Sequence, residues 1–118
     1  MGFGLERDYM DLLLELQDKL EKLNISITEL RKSGTALAQA EKDYKILLRQ
    51  ECLKLRDEGM AVTIIDRICY GIPSVAEARF KRDVAEAKYK ANMEAINTFK
   101  LEIRILQSQI DKEYGNEN

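Results

Sequence analysis

The stretch Arg31-Lys32-Ser33-Gly34, "RKSG", followed by Thr35, decides how many long helices this chain has. It either breaks a helical pattern or lies inside one. Gly34 can supply a helix C-cap, and Ser33 or Thr35 can cap a following helix. The alternative is one continuous helix that tolerates a glycine. Ser, Gly and Thr are three poor helix formers in succession, and that favours a turn. The expectation is a helix over about 6–32 and a second over about 36–57.

The pattern on each side of this stretch is helical. Before it, Tyr9, Leu13, Leu16, Leu20, Leu23, Ile27 and Leu30 alternate by four and three residues. That is the spacing of a coiled-coil seam, which requires a partner helix from the same chain or another. Leu12, Leu14 and Ile25 lie off this seam and widen the stripe. After it, Leu37, Tyr44, Leu48, Cys52 and Leu55 keep helical spacing. Ala36, Ala38 and Ala40 are small enough to let another helix come close.

Further on, "EGMAVTIIDRICYGIPS" (58–74) is apolar, flanked by glycine, and holds the single proline. It can be laid on a helix-turn-helix, with Gly59 as the turn glycine and Ile65 as the inner aliphatic residue. Leu55 departs from that motif, where a small residue is usual. "TIIDRICY" also lacks the several polar side chains on one face that base reading requires. The better reading is a short helix over about 63–70 that folds back to plug one end of a bundle. Val62, Ile64, Ile65 and Ile68 would then be buried, with Gly59 and Gly71 as turn residues.

A long helix follows over about 75–113, opened by a Ser74/Glu77 capping box with Val75 and Ala76. Phe80, Val84, Ala87, Ala91 and Ala95 share one face. Ile96, Phe99, Ile103, Leu106 and Ile110 form a strict three-four seam on another, with Tyr89 and Met93 leading into it. The change of face predicts different packing partners along the helix. The fold expected is all-α: an elongated three-helix bundle or antiparallel coiled coil, with a short corner helix before the last long one. Length suits a single domain over 1–118.

Composition narrows function mainly by exclusion. The chain has 118 residues, 45% of them hydrophobic and 34% charged, with net charge −2. Acidic and basic residues interleave throughout, so neither end is a basic arm or an acidic tail. A nucleic-acid binder ordinarily shows a basic excess. There is no histidine. Serine-protease-type triads, most zinc sites and the Glu-x-x-His di-iron pattern are thereby removed. No phosphate-binding glycine loop occurs. Two cysteines, Cys52 and Cys69, are too few for a disulfide framework and fit a reducing cytoplasm. Both are read as buried structural thiols, because no neighbour in sequence clearly lowers their pKa. No run is long and apolar enough for a membrane span, and "MGFGLERDYM" is neither a signal peptide nor, with Glu6 in place of Ser or Thr, a myristoylation site. "MGFG" reads as a frayed end. No enzyme activity, cofactor or metal is expected.

One basic cluster stands out. "ARFKRDVAEAKYK" carries Arg79, Lys81, Arg82, Lys88 and Lys90, the candidate phosphate contacts. Asp83 and Glu86 project on the side of Arg79, Arg82 and Lys90 and largely neutralise it, which favours a self-paired, solvated face.

The runs "AQAEKDY", "LRDEGMAVTIIDRICYG" and "ARFKRDVAEAKYKANMEAINTFKLEIRILQSQID" resemble a group of uncharacterised short helical proteins encoded by phages and prophages of Gram-positive bacteria. The resemblance covers roughly residues 36–113. It carries no catalytic motif. It implies a setting in phage replication, recombination or the disarming of host defences. The expected function is a protein-interaction module that inhibits or adapts a nucleic-acid-processing protein, such as a defence nuclease or replication factor. Phe80, Ala87, Tyr89, Ala91, Ala95 and Phe99 are the candidate contact surface, each with intrachain core as its competing reading. Unpaired seams further predict a homodimer or higher oligomer. The alternative is a nucleic-acid-binding accessory protein of phage replication or recombination, not favoured over the protein-interaction reading, and the second alternative is a structural coiled-coil scaffold.

Overall fold

A computed structural model of the chain describes residues 8–115. The readings of "MGFG", Gly2 and Glu6 lie outside the described residues. Among these residues every regular element is helical: α1 over Tyr9–Asp57, α2 over Val62–Ile68, a 3-10 turn over Cys69–Gly71, and α3 over Pro73–Tyr114. The chain groups into two compact units. One joins Met1–Leu30 with Ala91–Asn118, and the other is Arg31–Lys90.

The expected turn at Gly34 does not form. The first two predicted elements are one helix of 49 residues, α1, which passes through Ser33-Gly34-Thr35 without a break. Local chemistry adapts to this. The Thr35 hydroxyl donates to the Arg31 carbonyl one turn back, at 3.1 Å, so it serves the helix rather than capping a new one. Gly34 has a tertiary reason to be there. A Cβ at this position would stand 3.3 Å from Cε1 of Tyr89 on α3. The missing side chain makes room for a ring, and that contact outweighs a helix-propensity deficit of only about 1 kcal/mol.

In the first unit, α1 starts where Asp8 caps it, its Oδ1 accepting from the Asp11 N–H at 2.8 Å. Leu12, Ile96, Ile103 and Leu106 form the buried core. Tyr9 meets Tyr114 with ring centroids 5.3 Å apart, Lys19 pairs with Glu102 at 2.5 Å, and Asn92 donates to the Glu29 carbonyl at 3.3 Å. As numbers rise on α1 they fall on α3, so the two segments run antiparallel.

The packing stripe of α1 is broader than the seam read in the sequence and leaves two of its members outside. Leu12, placed beside the seam, is fully buried, whereas Tyr9 and Leu20, placed on it, are exposed. Leu13, Leu16, Leu23, Ile27 and Leu30 of that seam are screened from solvent, and so are Leu12, Glu15, Lys19 and Ser26 beside it. Three of these are polar, and an apolar count passes over those. On α3 the same oversight produced an apparent change of face. Val75, Ala78, Arg82, Ala85 and Tyr89 of the second unit, and Asn92, Ile96, Phe99, Ile103, Leu106 and Ile110 of the first, are all screened from solvent. They keep one three-four alternation once Arg82 and Asn92 are counted. Phe80, Val84, Ala87 and Ala91, assigned to a separate packing face, are exposed.

In the second unit the buried side chains are Tyr44, Ile65, Cys69 and Val75. The guanidinium of Arg82 sits 4.8 Å from the Tyr44 ring centroid and donates to Asp83 Oδ1 at 2.9 Å. A cation over an aromatic face, neutralised by an adjacent carboxylate, is how a charged residue occupies a packing position.

Two signals punctuate the turn between the long helices. Gly59 takes φ +88°, with its N–H on the Arg56 carbonyl at 3.0 Å and the Met60 N–H on the Leu55 carbonyl at 3.1 Å. This is a Schellman ending, which places a left-handed residue just past the helix. Gly59→Ala should cost about 1 kcal/mol, measured by urea denaturation, because a Cβ disfavours that φ although space is open around it. An unchanged midpoint would show that the ending is dispensable. At the start of α3, the Ser74 capping box is not used. Pro73 is the first helical residue, and Ile72 before it is extended, φ −63° and ψ 127°. Proline needs no N–H partner at that position and forces its predecessor out of helix. Ser74 is therefore already inside α3.

Candidate interaction surface at the helical corner

The segment from 61 to 71 builds a surface that the sequence reading placed in the core. Ala61 is extended, and its carbonyl accepts from the N–H groups of both Ile64 and Ile65 at 3.0 Å, which starts α2. Of the four apolar residues expected to bury, only Ile65 does. Val62, Ile64 and Ile68 are 55%, 49% and 43% exposed. The reason is geometric. Val62 and Ile64 lie about 200° apart around a helix, so one buried face cannot hold both. Ile65 and Cys69, one turn apart, take the inward side. Tyr70 is also exposed, with the Arg79 guanidinium 5.6 Å from its ring centroid.

Beside α2 lies an open cleft of about 380 Å³. Its α1 wall carries Lys45, Arg49 and Arg56 together with Leu48, Cys52 and Leu53. The opposite wall is Val62, Ile65, Asp66, Cys69 and Tyr70. Three cations face one carboxylate across an apolar floor, in a chain whose net charge is negative. That combination suits an apolar ligand segment bearing acidic groups. The Cys52 thiol is held above its ordinary pKa, first by burial and then by the nearness of Cys69; Arg49 acts in the opposite direction.

The residues singled out as a contact surface are dispersed. Phe80 and Ala87 are exposed in the second unit, where Tyr89 is half-buried against Gly34. In the first unit Ala91 is exposed, and Ala95 and Phe99 are half-buried. Among the candidate phosphate contacts, Arg79 lies over Tyr70, Arg82 bonds Asp83, and Lys90 pairs with Glu86 at 3.2 Å. Lys81 and Lys88 line a hollow of about 150 Å³ with Ser33, Ala36, Val84 and Ala85. Sequence reasoning missed Leu53, Tyr70 and the outward side of α2. The available signal was that apolar residues occupy more than one side of a seven-residue helix.

No helix among the described residues is long and apolar enough to cross a membrane. Comparison with protein-family models, with curated proteins and with solved structures matched none of them.

Proposed function

We propose that this chain is a non-enzymatic protein-interaction module of the kind phages encode. In this reading it acts in the host cytoplasm, binding a host or phage nucleic-acid-processing protein and inhibiting or adapting it. One observation carries the reading: Leu53, Val62 and Tyr70 are exposed along a cleft rimmed by cations, while Ile64 and Ile68 are exposed on another side of α2. A cluster of exposed aliphatic and aromatic side chains among cations has the composition of a binding hot spot. The antiparallel pairing of α1 and α3 segments within each unit supports an antiparallel coiled coil as its scaffold. Its exposed Leu14, Leu101 and Ile105 are consistent with a homodimer or higher oligomer. Nucleic-acid binding is the weaker reading, because Arg79, Arg82 and Lys90 are engaged with protein groups.

The test is a tagged pull-down from a Gram-positive host lysate, with and without nuclease, read by mass spectrometry. One protein enriched in both samples is the expected result. With that protein purified, Val62→Glu and Leu53→Glu should each weaken binding at least about tenfold, roughly 1.4 kcal/mol. The melting temperature should stay near wild type, since both side chains already face solvent. Partners that vanish with nuclease would establish the nucleic-acid reading instead. Self-association alone would leave a structural scaffold.

A further inference from the structure

Cys52 and Cys69 are both free thiols. They come from different elements, α1 and the 3-10 turn, and line the same cleft. Cys69 lies near enough to the Cys52 thiol to disfavour its ionisation, and the Cys69 thiol reaches the Asp66 carbonyl at 3.9 Å. Cys69 is almost fully buried, whereas Cys52 is half-buried. The cleft therefore gives a small molecule access to one sulfur, with the second waiting behind it. Lys45, Arg49 and Arg56 on the same wall favour a reagent that bears carboxylates.

We propose that Cys52 and Cys69 form a modification site, a dithiol that a carboxylate-bearing, low-molecular-weight disulfide converts to an intramolecular disulfide. The Cys52 thiolate attacks one sulfur of the reagent, forming a mixed disulfide and expelling one reagent thiolate. The Cys69 thiolate then attacks the Cys52 sulfur, closing the protein disulfide and expelling the second reagent thiolate. The protein loses two electrons and two protons, and the reagent gains them as two thiols. The product ties α1 covalently to the 3-10 turn and closes the loop from 52 to 69. It would lock the corner beside α2. The site stands independently of the proposed function, because it rests on the two sulfurs alone.

Thiolate supply sets the rate. Cys69 and Asp66 oppose ionisation of Cys52, Arg49 favours it, and Lys45 and Arg56 lie on the same wall. With the Cys52 pKa raised, exchange should be slow at neutral pH and accelerate as pH rises past the ordinary thiol range. The experiment incubates the reduced full-length chain with oxidised glutathione at alkaline pH. Acid quenching, alkylation under denaturing conditions and intact-mass measurement follow. The expected product is a monomer two hydrogens lighter, with no glutathione attached and with peptides containing Cys52 and Cys69 linked. Its melting temperature should rise by about 5–10 °C over the reduced chain. Cys69→Ser should instead stop at a stable glutathione adduct on Cys52. A lasting adduct on the unmutated chain, a cross-linked dimer, or two alkylatable thiols at equilibrium would each overturn the proposal. Titration with phenylarsine oxide gives a second reading without oxidation: one arsenic bound per chain supports a facing dithiol, and none refutes it.

Discussion

Leu12→Ala is expected to lower the unfolding free energy by about 2–4 kcal/mol, whereas Leu20→Ala should cost less than about 1 kcal/mol. The two side chains are chemically identical and sit on the same helix. Leu12 is fully buried, and Leu20 is 43% exposed. Truncating Leu12 removes the full transfer energy of its branched end and leaves a cavity that neighbours fill only in part. Truncating Leu20 removes atoms that water already touches. Urea denaturation of both variants, compared at one protein concentration, reads the difference as a midpoint shift. The outcome tests which of the two side chains belongs to the packing stripe. The sequence pattern of Tyr9, Leu13, Leu16 and Leu20 predicts that Leu20 matters more than Leu12. Equal losses, or a larger loss at Leu20, would restore that seam.

Gly34 and Tyr89 should be strongly coupled. Gly34→Leu places a branched side chain where the Tyr89 ring now stands 3.3 Å from an added Cβ. Overpacking of this kind costs about 1–3 kcal/mol, which exceeds the gain of about 1 kcal/mol from replacing glycine in a helix. In a Tyr89→Ala background the ring is gone, and the same substitution should become stabilising. The double-mutant cycle should therefore return a coupling energy of about 1–2 kcal/mol. If the two changes are additive, Gly34 and Tyr89 do not touch. If Gly34→Leu is destabilising in both backgrounds, the position needs a conformation that leucine cannot take, as a turn would. Denaturation of the four proteins decides among these results.

These two sites also show which parts of the fold were legible. The helical character of the chain follows from residue spacing, because three-four alternation of apolar side chains is a local property. Gly59 before α2 and Pro73 at the start of α3 act on their own backbones, so their roles as boundary signals are local as well. Gly34 is different. Its effect on the backbone is ambiguous, and the partner that settles it lies on another helix. The corner was misread for a related reason. Apolar composition at Val62, Ile64 and Ile68 argued for burial, but how much of a seven-residue helix is covered depends on what packs against it.

The candidate site was correspondingly hard to find. Its cations, Lys45, Arg49 and Arg56, look like ordinary solvated positions of a long helix, and they gain meaning only beside Val62 and Tyr70. The same holds for Cys52 and Cys69, which are separate in sequence and adjacent in the fold. By itself the sequence determined that this chain is helical and marked its strongest boundaries. Tertiary structure decided that α1 runs on through Gly34, how broad the buried stripe of α1 is, and which corner residues stay exposed. Periodicity sets the spacing of a stripe but not its breadth, and a step of one residue turns a helix by about 100°. Only the neighbouring helix fixes that breadth, through the area it covers and the side chains it can accept.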